Sequence, residues 1–270
     1  MLDALVRPVA FPTPLTRTGA RAAKVGAFAL ETWSRMLMDG AFGSASERAR
    51  ELSWVAENLS ALHGLRTIVR GVVPRGPCVL VANHINYFDP VVIASQLPLT
   101  AVAKREVANW PLVGEFCKRL GVLFVDRDDP QSGARVLRSA LRALAQDVSV
   151  LVFPEGTTTR GERVLPFKRG IFGAALRASV PVVPVALRYE REDAAWVGDD
   201  TFLPHYVRTM AQPCTRVCIQ FLPALSFARD RTAEALAESA RHAIAGSVLT
   251  HDTTPFPSSR SPSDGFLATA

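Results

Sequence analysis

A histidine followed five residues later by an aspartate, in Asn83-His84-Ile85-Asn86-Tyr87-Phe88-Asp89-Pro90, is the segment of this 270-residue chain with the most chemistry in it. Imidazole suits general base catalysis near neutral pH, and a carboxylate bonded to its second ring nitrogen fixes the tautomer and stabilises the imidazolium. The apolar run Cys78–Ala82 just before it reads as a strand, so His84 stands at a strand end. Asp89 can reach the ring if the intervening loop folds back. Asp89 before Pro90 is also a good N-cap and first-turn pair for a following helix. A capping carboxylate can orient a histidine too, so the spacing leaves both readings open.

A second strand candidate, Val148–Phe153, runs into Pro154-Glu155-Gly156-Thr157-Thr158-Thr159-Arg160-Gly161. Two glycines after a strand suggest a phosphate loop, but Glu162 and Arg163 stand where that motif needs Lys and Ser or Thr, so a nucleotide-hydrolysing loop is excluded. What remains is a turn rich in glycine and hydroxyls, with Glu155 available to bind hydroxyl groups; a plain surface loop has the same composition. Between these two segments, Gly121-Val122-Leu123-Phe124-Val125-Asp126-Arg127 delivers Arg127 to a strand end, and Lys104 follows the short strand Ala101–Ala103. Either cation suits an anionic ligand, and either can be a solvated ion-pair partner. Arg135, Arg138 and Arg142 form a stripe at helical spacing, a solvated face or a docking patch for an acidic carrier.

The elements that must position these residues alternate. Strands Val182–Leu187 and Val217–Phe221 join those above, with helices expected over Pro90–Gln96, Val113–Arg119, Gly133–Gln146, Ile171–Ala178 and Thr232–Ser247. Alternation of this kind predicts an α/β fold, a mainly parallel sheet flanked by helices, with ligands at the strand C-terminal ends. Ahead of it lies an N-terminal helical pair. The first helix covers Ala22–Met38, and the second starts at Ser44, with Glu47 three residues on as in a capping box. The expected division is 1–66, helical and facing a membrane; 67–249, the α/β domain; and 250–270, a disordered tail rich in Ser, Thr and Pro. Phe28, Leu30, Trp33, Met36, Leu37 and Met38 exceed one core-facing stripe, so lipid contact is open for the first helix, with Arg17, Arg21, Lys24 and Arg35 drawing it to anionic lipid.

Composition narrows the classes. With 48% hydrophobic and 21% charged residues the chain can bury a core. The four cysteines, Cys78, Cys117, Cys214 and Cys218, are too scattered for a disulfide framework or a zinc site, so a reducing compartment and no metal are expected. No signal peptide is read at the N-terminus, and Gly76–Ala103, broken by His84, Asp89 and prolines, is no bilayer span. A net charge of +6 favours acidic partners. No Gly-x-Ser-x-Gly elbow, dinucleotide fingerprint or nucleic-acid module is present, so a serine hydrolase, a nicotinamide enzyme and a nucleic-acid partner are disfavoured.

Four blocks in order resemble the glycerolipid acyltransferase family, typified by 1-acylglycerol-3-phosphate acyltransferases: Asn83-His84 through Asp89, Gly121 through Arg127, Phe153-Pro154-Glu155-Gly156-Thr157, and Val180-Pro181-Val182-Val183-Pro184. The resemblance covers about Gly71 to Leu187. It implies transfer of a fatty acyl group from a thioester, acyl-CoA or acyl-carrier protein, to a lysolipid hydroxyl, most simply 1-acylglycerol-3-phosphate, in phospholipid biosynthesis, with no cofactor. By the same resemblance His84 takes the hydroxyl proton, Asp89 orients it, Arg127, Glu155, Gly156 and Thr157 hold the head group with Lys104 as a further binding residue, and Pro184 shapes the acyl side. It implies a peripheral enzyme on the cytoplasmic face of a membrane. The pattern departs at Thr158, where the family commonly has Arg, and at Asn86, where Ser is common. Lyso-ornithine lipid acyltransferases look similar and often carry the Gly-Thr-Thr form followed by Leu-Pro-Phe-Lys, here Leu165 to Lys168. That acceptor, a small soluble acceptor, and a non-catalytic lipid-binding protein on the same scaffold are the alternatives.

Overall fold

The computed structural model describes residues 13–38, 43–198, 200–226 and 232–250. Its centre is a seven-stranded sheet of β1 (Leu65–Arg70), β2 (Val79–Ala82), β3 (Leu99–Lys104), β4 (Leu123–Val125), β5 (Ser149–Val152), β6 (Val182–Tyr189) and β7 (Thr215–Phe221). The strands lie in the order β1-β7-β6-β2-β5-β3-β4, and every neighbouring pair is parallel except β6 with β7. All four residues of β2 are buried, as a central strand covered on both faces requires. Leu80 and Ala82 face one layer with Leu99, Leu151 and Val185, under α2 (Ala45–Leu62) and α3 (Asp89–Ala94). Val79 and Val81 face the other with Val150, Phe172 and Ile244, under α5 (Pro130–Leu144), α6 (Gly170–Ala178) and α8 (Ala233–Thr250).

The expected capping box at the start of α2 is present: Glu47 N donates to Ser44 Oγ at 3.1 Å and Ser44 N to Glu47 Oε2 at 2.9 Å. Two elements were not expected. β1 begins at Leu65, inside the stretch expected to be helical; it is an edge strand with only Leu65 buried, so its apolar alternation is weak. α7 (Phe202–Ala211) follows a stretch with no periodic pattern and carries Pro204 in its first turn. The first helix, α1 (Pro14–Met38), starts earlier than Ala22. No helix among the described residues is long and apolar enough to cross a membrane. The tail expected to be disordered beyond residue 250 lies outside the described residues.

The basic side chains of α1 are placed differently from the expectation. Arg17 donates to Ala211 O at 2.6 Å, while Arg21 donates to Met210 O, Gln212 O and Pro213 O at 2.6–2.9 Å. The last carbonyls of a helix have no partner of their own and carry its negative dipole end, so arginines from a neighbouring helix satisfy both needs. Arg35 pairs with Glu51 and lies over the Trp54 ring. Three of the four cations assigned to lipid attraction are thus engaged within the fold. The outward side of α1 exposes Ala23, Ala27, Leu30 and Leu37, with Lys24, Glu31 and Ser34 among them.

Candidate active site

Where β2 ends, the side chain of Asn83 continues the sheet: its Nδ2 donates to Leu187 O of β6 at 3.0 Å, and Leu187 N donates to its Oδ1 at 2.8 Å. That anchor fixes the departure point of the loop that follows. Asn86 then turns the chain, with Oδ1 accepting from Phe88 N at 2.8 Å and Nδ2 donating to Ala194 O. The loop therefore folds back, and His84 Nδ1 meets Asp89 Oδ2 at 2.8 Å.

Asp89 is completely buried. Its Oδ2 also accepts from Ile85 N at 2.6 Å and Asn86 N at 2.9 Å, and its Oδ1 accepts from Tyr189 OH at 2.8 Å. The residue sits in the first turn of α3, with Phe88 in the N-cap position. The expected forward helix cap is therefore replaced by bonds to the loop behind it. Because a carboxylate only accepts, Nδ1 carries the imidazole proton and Nε2 carries the lone pair. Nε2 makes no hydrogen bond to any described residue, and the His84 side chain is 19% exposed. The ring stacks on Phe153, centroids 4.2 Å apart. A rigidly held imidazole with one open nitrogen is what a general base requires.

Glu155 closes the site from β5. Its Oε1 accepts from His84 N and its Oε2 from Leu165 N, both at 2.9 Å, so this buried carboxylate ties the histidine loop to the 163–168 segment. Burial pushes its carboxyl up, and the two backbone donors oppose that shift. The carboxylate expected to face a ligand hydroxyl thus has both oxygens bonded to the chain itself. Further bonds hold the loop: Thr159 N donates to His84 O at 2.7 Å and Trp196 N to Ile85 O at 3.0 Å. Gly156 has φ +76°, a left-handed conformation that glycine adopts without steric cost. A Cβ built on it would lie 3.2 Å from Lys168 Nζ, so this ammonium rests against the turn. Thr157 is exposed beside it.

The remaining candidates line the same edge. His84 follows β2, Glu155 follows β5, Lys104 ends β3 and Arg127 lies two residues beyond β4, so four adjacent parallel strands present them in a row. At about 4.8 Å per strand, Lys104 starts roughly 10 Å and Arg127 roughly 14 Å from the histidine strand. The outer end of this row carries both signs of charge. Lys104 pairs with Glu106 at 3.4 Å and Arg105 with Asp126 at 2.5 Å, while the neighbouring Lys104 and Arg127 help hold the Glu106 carboxyl below its usual value, after a backbone hydrogen bond of its own. Pro184 is a buried residue of β6 paired with Val81, inside the sheet.

Tyr189 has no local signal: it stands past the expected end of its strand and about a hundred residues from Asp89. Only the sheet order, with β6 beside β2, brings it behind the loop. Asn83 and Lys168 lie in the Asn83-His84 and Leu165 to Lys168 motifs, which imply no role for either. The first had a readable signal, an amide at a strand end with no helix to cap.

A family model described as Acyltransferase matches residues 61–188. The chain is 34% identical over 215 residues to a lyso-ornithine lipid O-acyltransferase of Pseudomonas aeruginosa, covering 76% of this chain and 83% of that protein. It is 36% identical over 151 residues to 1-acyl-sn-glycerol-3-phosphate acyltransferase alpha of Homo sapiens, covering 54% of this chain and 53% of that protein. In fold it is similar to the crystal structure of the 1-acyl-sn-glycerophosphate acyltransferase PlsC from Thermotoga maritima, with a TM-score of 0.63 and 20% identity over 88% of this chain and 94% of that one.

Proposed function

The chain belongs to the acyltransferase family, whose members named above acylate lysolipids, and from that premise we propose that it acylates the hydroxyl of a lyso-ornithine lipid from acyl-CoA or acyl-carrier protein. His84 with Asp89 at the strand edge carries the reading. The acceptor hydroxyl bonds to the open Nε2. As its oxygen attacks the thioester carbonyl, the C–O bond forms and the proton passes to Nε2, while the Asp89 carboxylate steadies the imidazolium. Collapse of the tetrahedral species breaks the C–S bond, and the imidazolium returns its proton to the departing thiolate. No acyl-enzyme forms, and ester and thiol leave.

Thr158, in place of the arginine common in this family, and the mixed charges around Lys104, Glu106 and Arg127 favour a head group carrying both a carboxylate and an ammonium, as ornithine does. Gly156 and Thr157 line its path beside Lys168, with Lys104 and Arg127 farther out. Glu155 acts by holding the loop, and Pro184 by filling the sheet beneath the acyl side. A second reading, 1-acylglycerol-3-phosphate, draws on the likeness to the human relative and on Lys168, Lys104 and Arg127 along one edge. The enzyme works as a peripheral protein on the cytoplasmic face of a membrane, where both donors and a lipid acceptor meet, with Leu30 and Leu37 of α1 toward lipid.

The test is thiol release by the purified chain from acyl-CoA and from acyl-carrier protein against lyso-ornithine lipid, 1-acylglycerol-3-phosphate and glycerol 3-phosphate. The highest kcat/KM with lyso-ornithine lipid is expected. A preference for 1-acylglycerol-3-phosphate transfers the assignment to the second reading, and one for glycerol 3-phosphate makes the acceptor small and soluble. Release with none of them leaves a lipid-binding protein.

A further inference from the structure

We propose that Tyr189 is a positioning residue of the His84–Asp89 dyad, its hydroxyl holding Oδ1 of Asp89 so that Oδ2 is the oxygen presented to the imidazole. The inference rests on His84 being the base. The two carboxylate oxygens are unequally served: Oδ2 receives His84 Nδ1, Ile85 N and Asn86 N, whereas Tyr189 OH at 2.8 Å is the one donor to Oδ1 among the described residues. Asp89 has no exposed surface through which water could serve instead. Tyr189 comes from the end of β6, two residues beyond the Leu187 backbone that anchors Asn83. One strand therefore fixes both ends of the catalytic loop.

The bond acts on charge as well as orientation. A donor on Oδ1 draws off part of the negative charge that would otherwise attract the imidazolium. Burial first, and the Asp89 charge second, push the Tyr189 phenol well above its ordinary value, so it remains a donor at every working pH. Without it the pair binds its proton more tightly, whichever partner holds that proton. The other titratable groups facing the pair are Glu155 from the β5 loop and Tyr87 from the histidine loop. Both remain when only the Tyr189 oxygen is removed.

The experiment is a pH titration by NMR of the full chain labelled at histidine, with the His84 signal assigned by its loss in His84→Gln. In Tyr189→Phe the midpoint of the pair should rise, because a hydrogen bond to the charged carboxylate is lost. The acid limb of kcat/KM should move with it, with the acceptor KM unchanged. In an Asp89→Asn background, Tyr189→Phe should no longer move the midpoint. If Tyr189→Phe does not fold, 3-fluorotyrosine at position 189, a stronger donor, should move the midpoint down. Midpoints of Tyr189→Phe or of the 3-fluorotyrosine protein that coincide with wild type overturn the proposal, even if melting temperatures differ, and so does a shift that persists in the Asp89→Asn background. The titration needs no substrate, so a wrong acceptor would appear as absent turnover with the shift intact.

Discussion

Asp89→Asn separates charge from shape at the centre of the site. The amide oxygen can take the place of Oδ2, still accepting from Ile85 N, Asn86 N and His84 Nδ1, while Nδ2 faces Tyr189, whose hydroxyl turns to accept. The reverse orientation would set an NH2 against three donors, so one rotamer is selected. The fold loses only the charge assistance of its loop bonds, about 1 kcal/mol each, or a few degrees in Tm. Catalysis loses more. With Nδ1 and Oδ2 2.8 Å apart, the charge centres of imidazolium and carboxylate stand roughly 4 Å apart, and their attraction at an effective dielectric of about 20 is about 4 kcal/mol. Since the imidazolium exists only as the hydroxyl is deprotonated, that loss falls on the transition state, about a thousandfold in kcat with little change in KM. Thiol release monitored with a thiol-reactive dye, beside a thermal melt, reads both quantities. A folded Asp89→Asn enzyme within about threefold of wild type in kcat would refute the reasoning and leave Asp89 a loop-folding group.

Arg127→Ala should raise the acceptor KM by about tenfold and the donor KM less, as loss of a charge-assisted head-group contact would; equal rises in steady-state kinetics would place the contact elsewhere. Leu30→Glu with Leu37→Glu should cut vesicle cosedimentation more than tenfold, at about 1.5 kcal/mol or more per buried leucine. High salt should act weakly, because Arg17, Arg21 and Arg35 are engaged within the fold; strong salt sensitivity with leucine independence would contradict this placement. Burial, chiefly, holds the His63 imidazole below the ordinary histidine range. The unfolded chain therefore takes that proton first as pH falls, and the contribution of neutral His63 is complete above about pH 6.5 and drains away below it. In His63→Gln the urea midpoint should fall less between about pH 7 and 5 than in wild type, and parallel curves would refute the assignment.

What the sequence made legible is what lies close together along the chain. His84 and Asp89 share one strand-loop-helix segment, so their spacing and the proline after them carried the pairing. Ser44 and Glu47 are three residues apart and their capping box was readable for the same reason. The central strands, apolar on both faces, announced a parallel sheet. β1 was hidden because an edge strand buries little, and α7 because Pro204 stands in its first turn and two of its three buried residues, His205 and Thr209, are polar. Tyr189, the Glu155 clamp and the arginines bound to the end of α7 depend on strand order and helix packing, which residue types along the chain do not encode locally. Each is a polar group whose partner is chosen by tertiary structure.

The most direct test of the account is the turnover of His84→Ala. The ring is a partly buried loop side chain stacked on Phe153, and Asp89 keeps three other donors without it, so the variant should fold, bind donor with wild-type affinity and melt within a few degrees of wild type. With the best acceptor of the panel, its thiol release should fall by about 10² to 10⁴, the range that loss of a general base produces. Wild-type turnover in a folded His84→Ala enzyme would contradict the account at its centre.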